Sequence, residues 1–84
     1  MVIETYLAGP GPAYERFQAS GRMLPDGLRY IESWVDADGA ERCFQLMETD
    51  DPATFADWTN RWDDLVSFEI IPVMSSDQAS TATR

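Results

Sequence analysis

Hydrophobic and polar positions along residues 1–73 follow two different periods. Four segments alternate apolar and polar side chains or are rich in β-branched and aromatic residues, which is typical of β-strands. Two segments repeat apolar residues at offsets of three and four, which predicts helices with one apolar face. In chain order the pattern predicts a strand over 1–8, a helix over 13–21, strands over 28–36 and 41–49, a helix over 52–64 and a strand over 66–73.

Proline, glycine and aspartate mark the boundaries of these elements. The segment 9–12 (Gly-Pro-Gly-Pro) ends the first strand, and Pro12 is predicted at the first position of the first helix because its φ is already helical. The segment 50–52 (Asp-Asp-Pro) predicts the start of the second helix, where an aspartate can cap free amides.

The two central strands are predicted to form a hairpin. Asp38-Gly39 between them is typical of a type I′ turn, whose two residues must tolerate positive φ. A two-residue turn fixes the register of the strands, since a slip of one residue would exchange their faces. The predicted pairs are Arg29–Glu48, Tyr30–Met47, Ile31–Leu46, Glu32–Gln45 and Trp34–Cys43.

The order strand-helix-strand-strand-helix-strand predicts a ferredoxin-like α+β fold, with a four-stranded antiparallel sheet and both helices on one face. Alternation divides the strand side chains into two sets. The set predicted beneath the helices is Ile3, Leu7, Ile31, Val35, Phe44, Leu46, Phe68 and Ile70, covered by Phe17, Phe55, Trp58 and Trp62. The set predicted on the opposite face is Val2, Tyr6, Leu28, Tyr30, Trp34, Cys43, Met47, Ile71 and Val73.

This second face is too apolar to be left in water. The chain offers no third layer to cover it, and we therefore predict an isologous homodimer with the two sheets face to face. The alternative is that the register of one strand is misjudged. Residues 74–84 have no apolar period and are expected to form a flexible tail outside a domain of residues 1–73.

Four segments carry a resemblance to a known group of proteins: 14–17 (Tyr-Glu-Arg-Phe), 21–28 (Gly-Arg-Met-Leu-Pro-Asp-Gly-Leu), 42–52 and 62–69. The chain resembles short, stand-alone bacterial proteins of unknown function in the dimeric α/β-barrel superfamily. The resemblance implies ferredoxin-like protomers whose sheets close into a barrel across a dimer axis. Wider relatives include cofactor-independent monooxygenases, haem-degrading enzymes and lactone isomerases, and the resemblance therefore implies a fold rather than an activity.

Composition excludes several classes of partner. The 84 residues suffice for one small domain, and 15 acidic against 6 basic residues give a net charge of −9. Nucleic acids and anionic lipid surfaces attract basic proteins, and we expect neither as a partner. No apolar run approaches the roughly 20 residues of a membrane helix. The single cysteine, Cys43, predicts a reducing, cytoplasmic location.

Two residue types with common catalytic roles are missing from the chain. It has no histidine, the usual base and metal ligand near neutral pH, and no lysine, which Schiff-base catalysis requires. Carboxylates and one thiolate do not match the usual ligand sets of zinc. The segment 9–12 lacks the lysine and the glycine spacing of a phosphate-binding loop. We therefore predict no metal and no cofactor.

Three glutamates are the candidates for acid or base chemistry. Glu4, Glu32 and Glu69 belong to three strands and are predicted on the same, open face of the sheet. Burial among aromatic side chains would raise their pKa values toward neutrality, as a general acid or base requires. The alternative is structural: each glutamate pairs with an arginine such as Arg29 or Arg42, or reaches water.

Four aromatic side chains are the candidates for ligand binding. Trp58 and Trp62 lie one helical turn apart and could form the wall of a slot between helix and sheet, which suits a flat apolar ligand. Tyr30 and Trp34 are predicted to complete the site. The alternative is that the two indoles simply fill the core.

These observations favour a homodimeric protein that binds a small apolar or aromatic molecule between its helices and its sheet. One of the three glutamates would orient the ligand. Two alternatives stay open: a cofactor-independent monooxygenase or isomerase with a glutamate base, and a purely structural or regulatory dimerisation module.

Overall fold

A computed structural model describes residues 1–82 and confirms the predicted ferredoxin-like α+β fold. The four strands form one antiparallel sheet in the order β2-β3-β1-β4. Two helices, α1 and α2, pack on one face, and a third short helix follows the last strand. The elements are β1 (Val2–Tyr6), α1 (Pro10–Ser20), β2 (Leu28–Val35), β3 (Arg42–Thr49), α2 (Ala53–Thr59), β4 (Val66–Ile70) and α3 (Ser76–Ala82).

On β1, β3 and the start of β2 the helices cover the face predicted to be open, whereas on β4 they cover the predicted face, with Phe68 packed against the core. Val2 and Trp58 are the most deeply buried side chains, and the buried strand residues Val2, Tyr6, Leu28, Cys43 and Met47 come from the set predicted on the open face. The prediction for these three strands is wrong because both sets are apolar, and periodicity alone cannot choose between them. The buried core is Val2, Tyr6, Ala13, Leu28, Cys43, Met47, Trp58, Trp62 and Val66.

A β-bulge in β2 changes the register of the central hairpin. Arg29 pairs with Glu48 and Tyr30 with Met47, as predicted, but Ile31 is an extra residue without a partner in β3. Beyond it the register moves by one, and Trp34 pairs with Phe44 instead of Cys43. Because a bulge reverses the alternation of the strand, Tyr30 faces the helices while Trp34 faces the open side.

The turn between β2 and β3 is longer than the predicted two residues. The amide of Ala40 donates to the carbonyl oxygen of Asp36 at 3.1 Å, and the Asp36 carboxylate accepts from the amide of Asp38 at 3.1 Å. Gly39 and Ala40 both have positive φ, of 96° and 53°. The extra turn residues follow from the bulge, since the register shift moves the strand ends apart.

Both main helices differ in length from the prediction. α1 begins at Pro10, and the segment 9–12 forms its first turn, because the first amides of a helix need no intrahelical partner and proline costs nothing there. α2 ends at Thr59, and Trp62 lies in the turn that follows. The Asp51 carboxylate accepts from the amide of Ala53 at 3.0 Å, as predicted for the helix start. Within residues 1–82 no helix has the length and apolar character to cross a membrane.

The segment after β4 contains a helix that the apolar pattern does not predict. The Ser75 hydroxyl accepts from the amide of Gln78 at 3.1 Å, and the Gln78 side chain accepts from the amide of Ser75 at 3.0 Å. This reciprocal capping box starts α3. None of the residues of α3 is buried, and the helix is stabilised locally rather than by packing.

Candidate functional site

A cavity lies between α1, the two indoles and the covered face of the sheet. It encloses about 130 Å³. The cavity reaches the protein surface at Tyr14 and Phe17 of α1, whose side chains are both about two-fifths exposed. Its apolar lining is Ala13, Phe17, Val35, Cys43, Trp58 and Trp62. Its polar lining is Glu4, Tyr6, Tyr14, Arg22, Ser33 and Gln45.

Two polar side chains from adjacent strands form the floor of the cavity. Glu4 on β1 and Gln45 on β3 are 8% and 6% exposed. The amide nitrogen of Gln45 donates to the carboxylate of Glu4. The other polar atom of that amide, Oε1, is buried without a hydrogen-bond partner among residues 1–82. An unpartnered buried acceptor is costly, by about 1–3 kcal/mol, and a donor brought by a ligand would relieve that cost.

The pKa of the Glu4 carboxyl lies close to neutral pH. Burial raises the pKa of Glu4 to about 7, and the charge of Arg22 and the hydrogen bond from Gln45 oppose that rise. A carboxyl with a pKa near neutrality, facing a cavity, can accept a proton from a bound molecule or donate one to it. This is the chemistry that the arrangement offers.

The two indoles are fixed by one backbone carbonyl. The Nε1 atoms of Trp58 and Trp62 both donate to the carbonyl oxygen of Arg22, each at 2.9 Å. Arg61 donates to the neighbouring carbonyl of Met23 at 2.6 Å. These bonds tie the loop after α1 to the segment that carries the indoles, and the indole rings therefore stand as a rigid wall beside the cavity.

The guanidinium of Arg22 has aromatic neighbours but no acidic one in contact. Its central carbon lies 3.6 Å from the ring centroid of Tyr30 and 5.1 Å from that of Phe17. It makes no ion pair and no hydrogen bond with any side chain or backbone group of residues 1–82. Arg22, whose charge lowers the pKa of Glu4, thus lines the cavity without an ion-pair partner among the described residues.

The structure brings some of the predicted site residues together and separates others. Glu4, Trp58 and Trp62 line the cavity. Tyr30 lies beside it, where its hydroxyl is 2.6 Å from that of Ser33. The other three predicted residues, Glu32, Trp34 and Glu69, lie on the open face of the sheet. Glu32 and Glu69 thus lie on the open face, as predicted, but Glu4 lies on the covered face, and the prediction that the three glutamates share one face is wrong.

Sequence reasoning did not identify Arg22 as a site residue. It lies in a loop, where no periodicity reports on the direction of a side chain. Gln45 was predicted only as the strand partner of Glu32, and its unpartnered oxygen depends on side-chain packing, on which strand alternation gives no information. Within residues 1–82 no group of three or more cysteine, aspartate and glutamate side chains is placed to hold a metal ion.

The comparisons with known proteins give a family and no activity. A family model described as a domain of unknown function, DUF3303, matches residues 1–84. No curated protein and no solved structure matches the chain.

Proposed function

This chain belongs to the DUF3303 family, and we propose that it binds a small molecule built around one aromatic ring, in the cavity beneath Trp58 and Trp62. The observation that carries the proposal is the presence of the cavity itself. Two indoles and a strand pair would close on each other in an ordinary core, yet here they leave a space with a carboxyl and an unpartnered amide oxygen on its floor.

The size of the cavity limits the ligand to one ring. An engineered cavity of about 150 Å³ in another protein holds benzene, and the present one encloses about 130 Å³. The walls of Trp58 and Trp62 offer flat apolar surface against which a ring can stack. A fused two-ring system would need the indoles to move, and their shared hydrogen-bond acceptor resists that movement.

Polar groups on the floor orient the ring. A hydroxyl or amino substituent would donate to Oε1 of Gln45, which otherwise has no partner among the described residues. Glu4 lies within hydrogen-bonding reach of the same amide and would contact the same substituent. Phenol is the simplest probe that has both an aromatic ring and a hydroxyl group that can donate a hydrogen bond.

We expect phenol to bind, and a cavity-filling variant to lose that binding. Ala13 is buried on α1 and lines the cavity, and leucine, which is also a good helix former, would occupy much of the space at this position. Isothermal titration calorimetry should show a phenol-dependent signal in the natural protein and none in Ala13→Leu. The control is Gln18→Leu, on the exposed side of the same helix. Equal binding by Ala13→Leu and the natural protein would place phenol elsewhere.

We further propose that a second copy of the chain covers the open face of the sheet. That face presents Ile31 and Trp34, both half-exposed, beside the partly buried Phe44 and Leu46. Two strands of eight residues and two of five, at about 3.3 Å per residue and about 4.8 Å apart, give this four-stranded face about 400 Å² in projection. That is the same order as the roughly 800 Å² per partner of a specific interface.

Sedimentation equilibrium tests the dimer. We expect twice the monomer mass of 9.5 kDa at micromolar concentration, and a shift to monomer in Trp34→Glu, which replaces a half-exposed indole of the open face with a charge. Gln18→Glu adds the same charge on α1 and should leave the dimer intact. A natural protein that sediments as a folded monomer would contradict this proposal but not the ligand site.

The compartment that we propose is the cytoplasm. Cys43 is buried and unpaired, and burial raises the pKa of its thiol. A protonated, enclosed thiol is compatible with a reducing environment and has no role there beyond packing.

A further inference from the structure

Arg22 differs from the other arginines that the structure describes. Three of them form ion pairs with carboxylates, and Arg61 donates to a backbone carbonyl. Arg22 alone among these five has no partner for its guanidinium N–H groups within residues 1–82. The chain has 15 acidic residues, so the missing ion pair does not reflect a lack of carboxylates. The guanidinium N–H groups of Arg22 are therefore available to a bound anion.

The two aromatic neighbours determine which part of the guanidinium remains available. The central carbon of the guanidinium lies over the ring of Tyr30, 3.6 Å from its centroid, and 5.1 Å from the centroid of Phe17. Such cation–π contacts use the charge of the guanidinium and do not use its N–H groups as hydrogen-bond donors. These N–H groups match the two oxygens of a carboxylate, which an arginine binds in a fork. Arg22 lines the cavity next to Phe17, where α1 brings it to the surface.

We infer that the ligand is a single-ring aromatic acid, whose carboxylate pairs with Arg22 and whose hydroxyl or amino group reaches the free amide oxygen of Gln45. This inference rests on the proposed function, since it concerns the same cavity. The ring occupies the space beside Trp58 and Trp62, and the two polar ends of the ligand meet the two groups that lack partners in the described chain.

The charge of Glu4 links this binding to pH. The charged and titratable groups around the Glu4 carboxyl are Arg22, Tyr6, Tyr14 and Cys43, and Arg22 supplies the positive charge among them. A second anion in the cavity competes with ionised Glu4 for that one cation. The acid therefore binds with Glu4 protonated, and its affinity falls by about tenfold from pH 6 to pH 8. Glu4→Gln removes this dependence.

Calorimetry with two matched probes tests the inference. At pH 6 we expect 4-hydroxybenzoate to bind the natural protein about tenfold more tightly than 4-hydroxybenzamide, its uncharged equivalent, because an ionic hydrogen bond is added. Arg22→Gln should remove this preference and keep phenol binding, which also shows that the variant is folded. Arg29→Gln, whose charge lies on the open face and pairs with Glu48, should keep the preference.

The outcomes separate the inference from the function on which it rests. If phenol binds but the acid and the amide bind equally, or if Arg22→Gln keeps the preference, the acid inference is overturned and the ring site stands. If none of the three probes binds, the proposed function fails and the acid inference fails with it.

Discussion

Replacing Trp58 with alanine should lower the free energy of unfolding by about 3–5 kcal/mol, the usual cost of removing a buried tryptophan side chain. Trp58 is 1% exposed, its ring centroid lies 5.3 Å from that of Phe68, and its Nε1 atom donates to the carbonyl of Arg22. A small domain has a total stability of about 5–15 kcal/mol. The variant is therefore expected to be marginally folded in urea denaturation followed by circular dichroism.

The conservative variant Trp58→Phe separates packing from hydrogen bonding at this position. It keeps a ring against Phe68 and loses the indole donor, and we expect it to lose less than half as much stability as the alanine variant. An alanine variant within about 1 kcal/mol of the natural protein would contradict the burial and packing of Trp58 described above.

The second large effect concerns pH. The free energy of unfolding should fall by about 2–3 kcal/mol as the pH rises from 5 to 8, because the pKa of Glu4 rises from its ordinary value of 4.5 to about 7 on folding. The folded protein keeps a proton that the unfolded chain releases. This contribution is complete below pH 4.5 and is lost as the pH passes through 7. The hydrogen bond from the Asp38 amide, followed by that from Arg42, lowers the pKa of Asp36, and the hydrogen bond from Arg16 lowers that of Asp64, so these two groups affect stability only at more acidic pH.

Urea denaturation at half-unit pH steps measures this slope. Glu4→Gln should remove most of the fall between pH 5 and 8, since glutamine has no proton to lose. Glu69→Gln removes a carboxylate from the exposed face of the same sheet and should leave the slope unchanged. If the free energy of unfolding of Glu4→Gln still falls between pH 5 and 8, another group causes the fall, and the pH-dependent binding loses its physical basis.

The order of elements was predictable from the sequence, but the covered face of the sheet was not. Val2 and Ile3 are neighbours on β1 and both are apolar, and the same is true of the two sets on the central strands. Alternation separates two such sets without ranking them. In the folded protein Val2 belongs to the same buried cluster as Ala13 and the two indoles, whereas Ile3 lies on the open face.

The β-bulge explains why the predicted site was only partly correct. Ile31 is a good strand residue, and nothing in its side chain indicates that it lacks a partner in β3. Because of this one inserted residue, Glu32 and Trp34 lie on the open face of the sheet, opposite to Tyr30. Glu4 and the two indoles do not depend on this hairpin, and they line one cavity although alternation placed Glu4 on the face opposite to the indoles.

Nuclear magnetic resonance of the three indole N–H groups tests the central claim most directly. Trp58 and Trp62 line the cavity, and Trp34 lies on the open face as an internal control. Titration of the ¹⁵N-labelled natural protein with phenol should shift the signals of Trp58 and Trp62 in a saturable manner and leave that of Trp34 in place. A titration in which neither cavity indole moves, or in which Trp34 alone moves, would show that the hollow is not a ligand site.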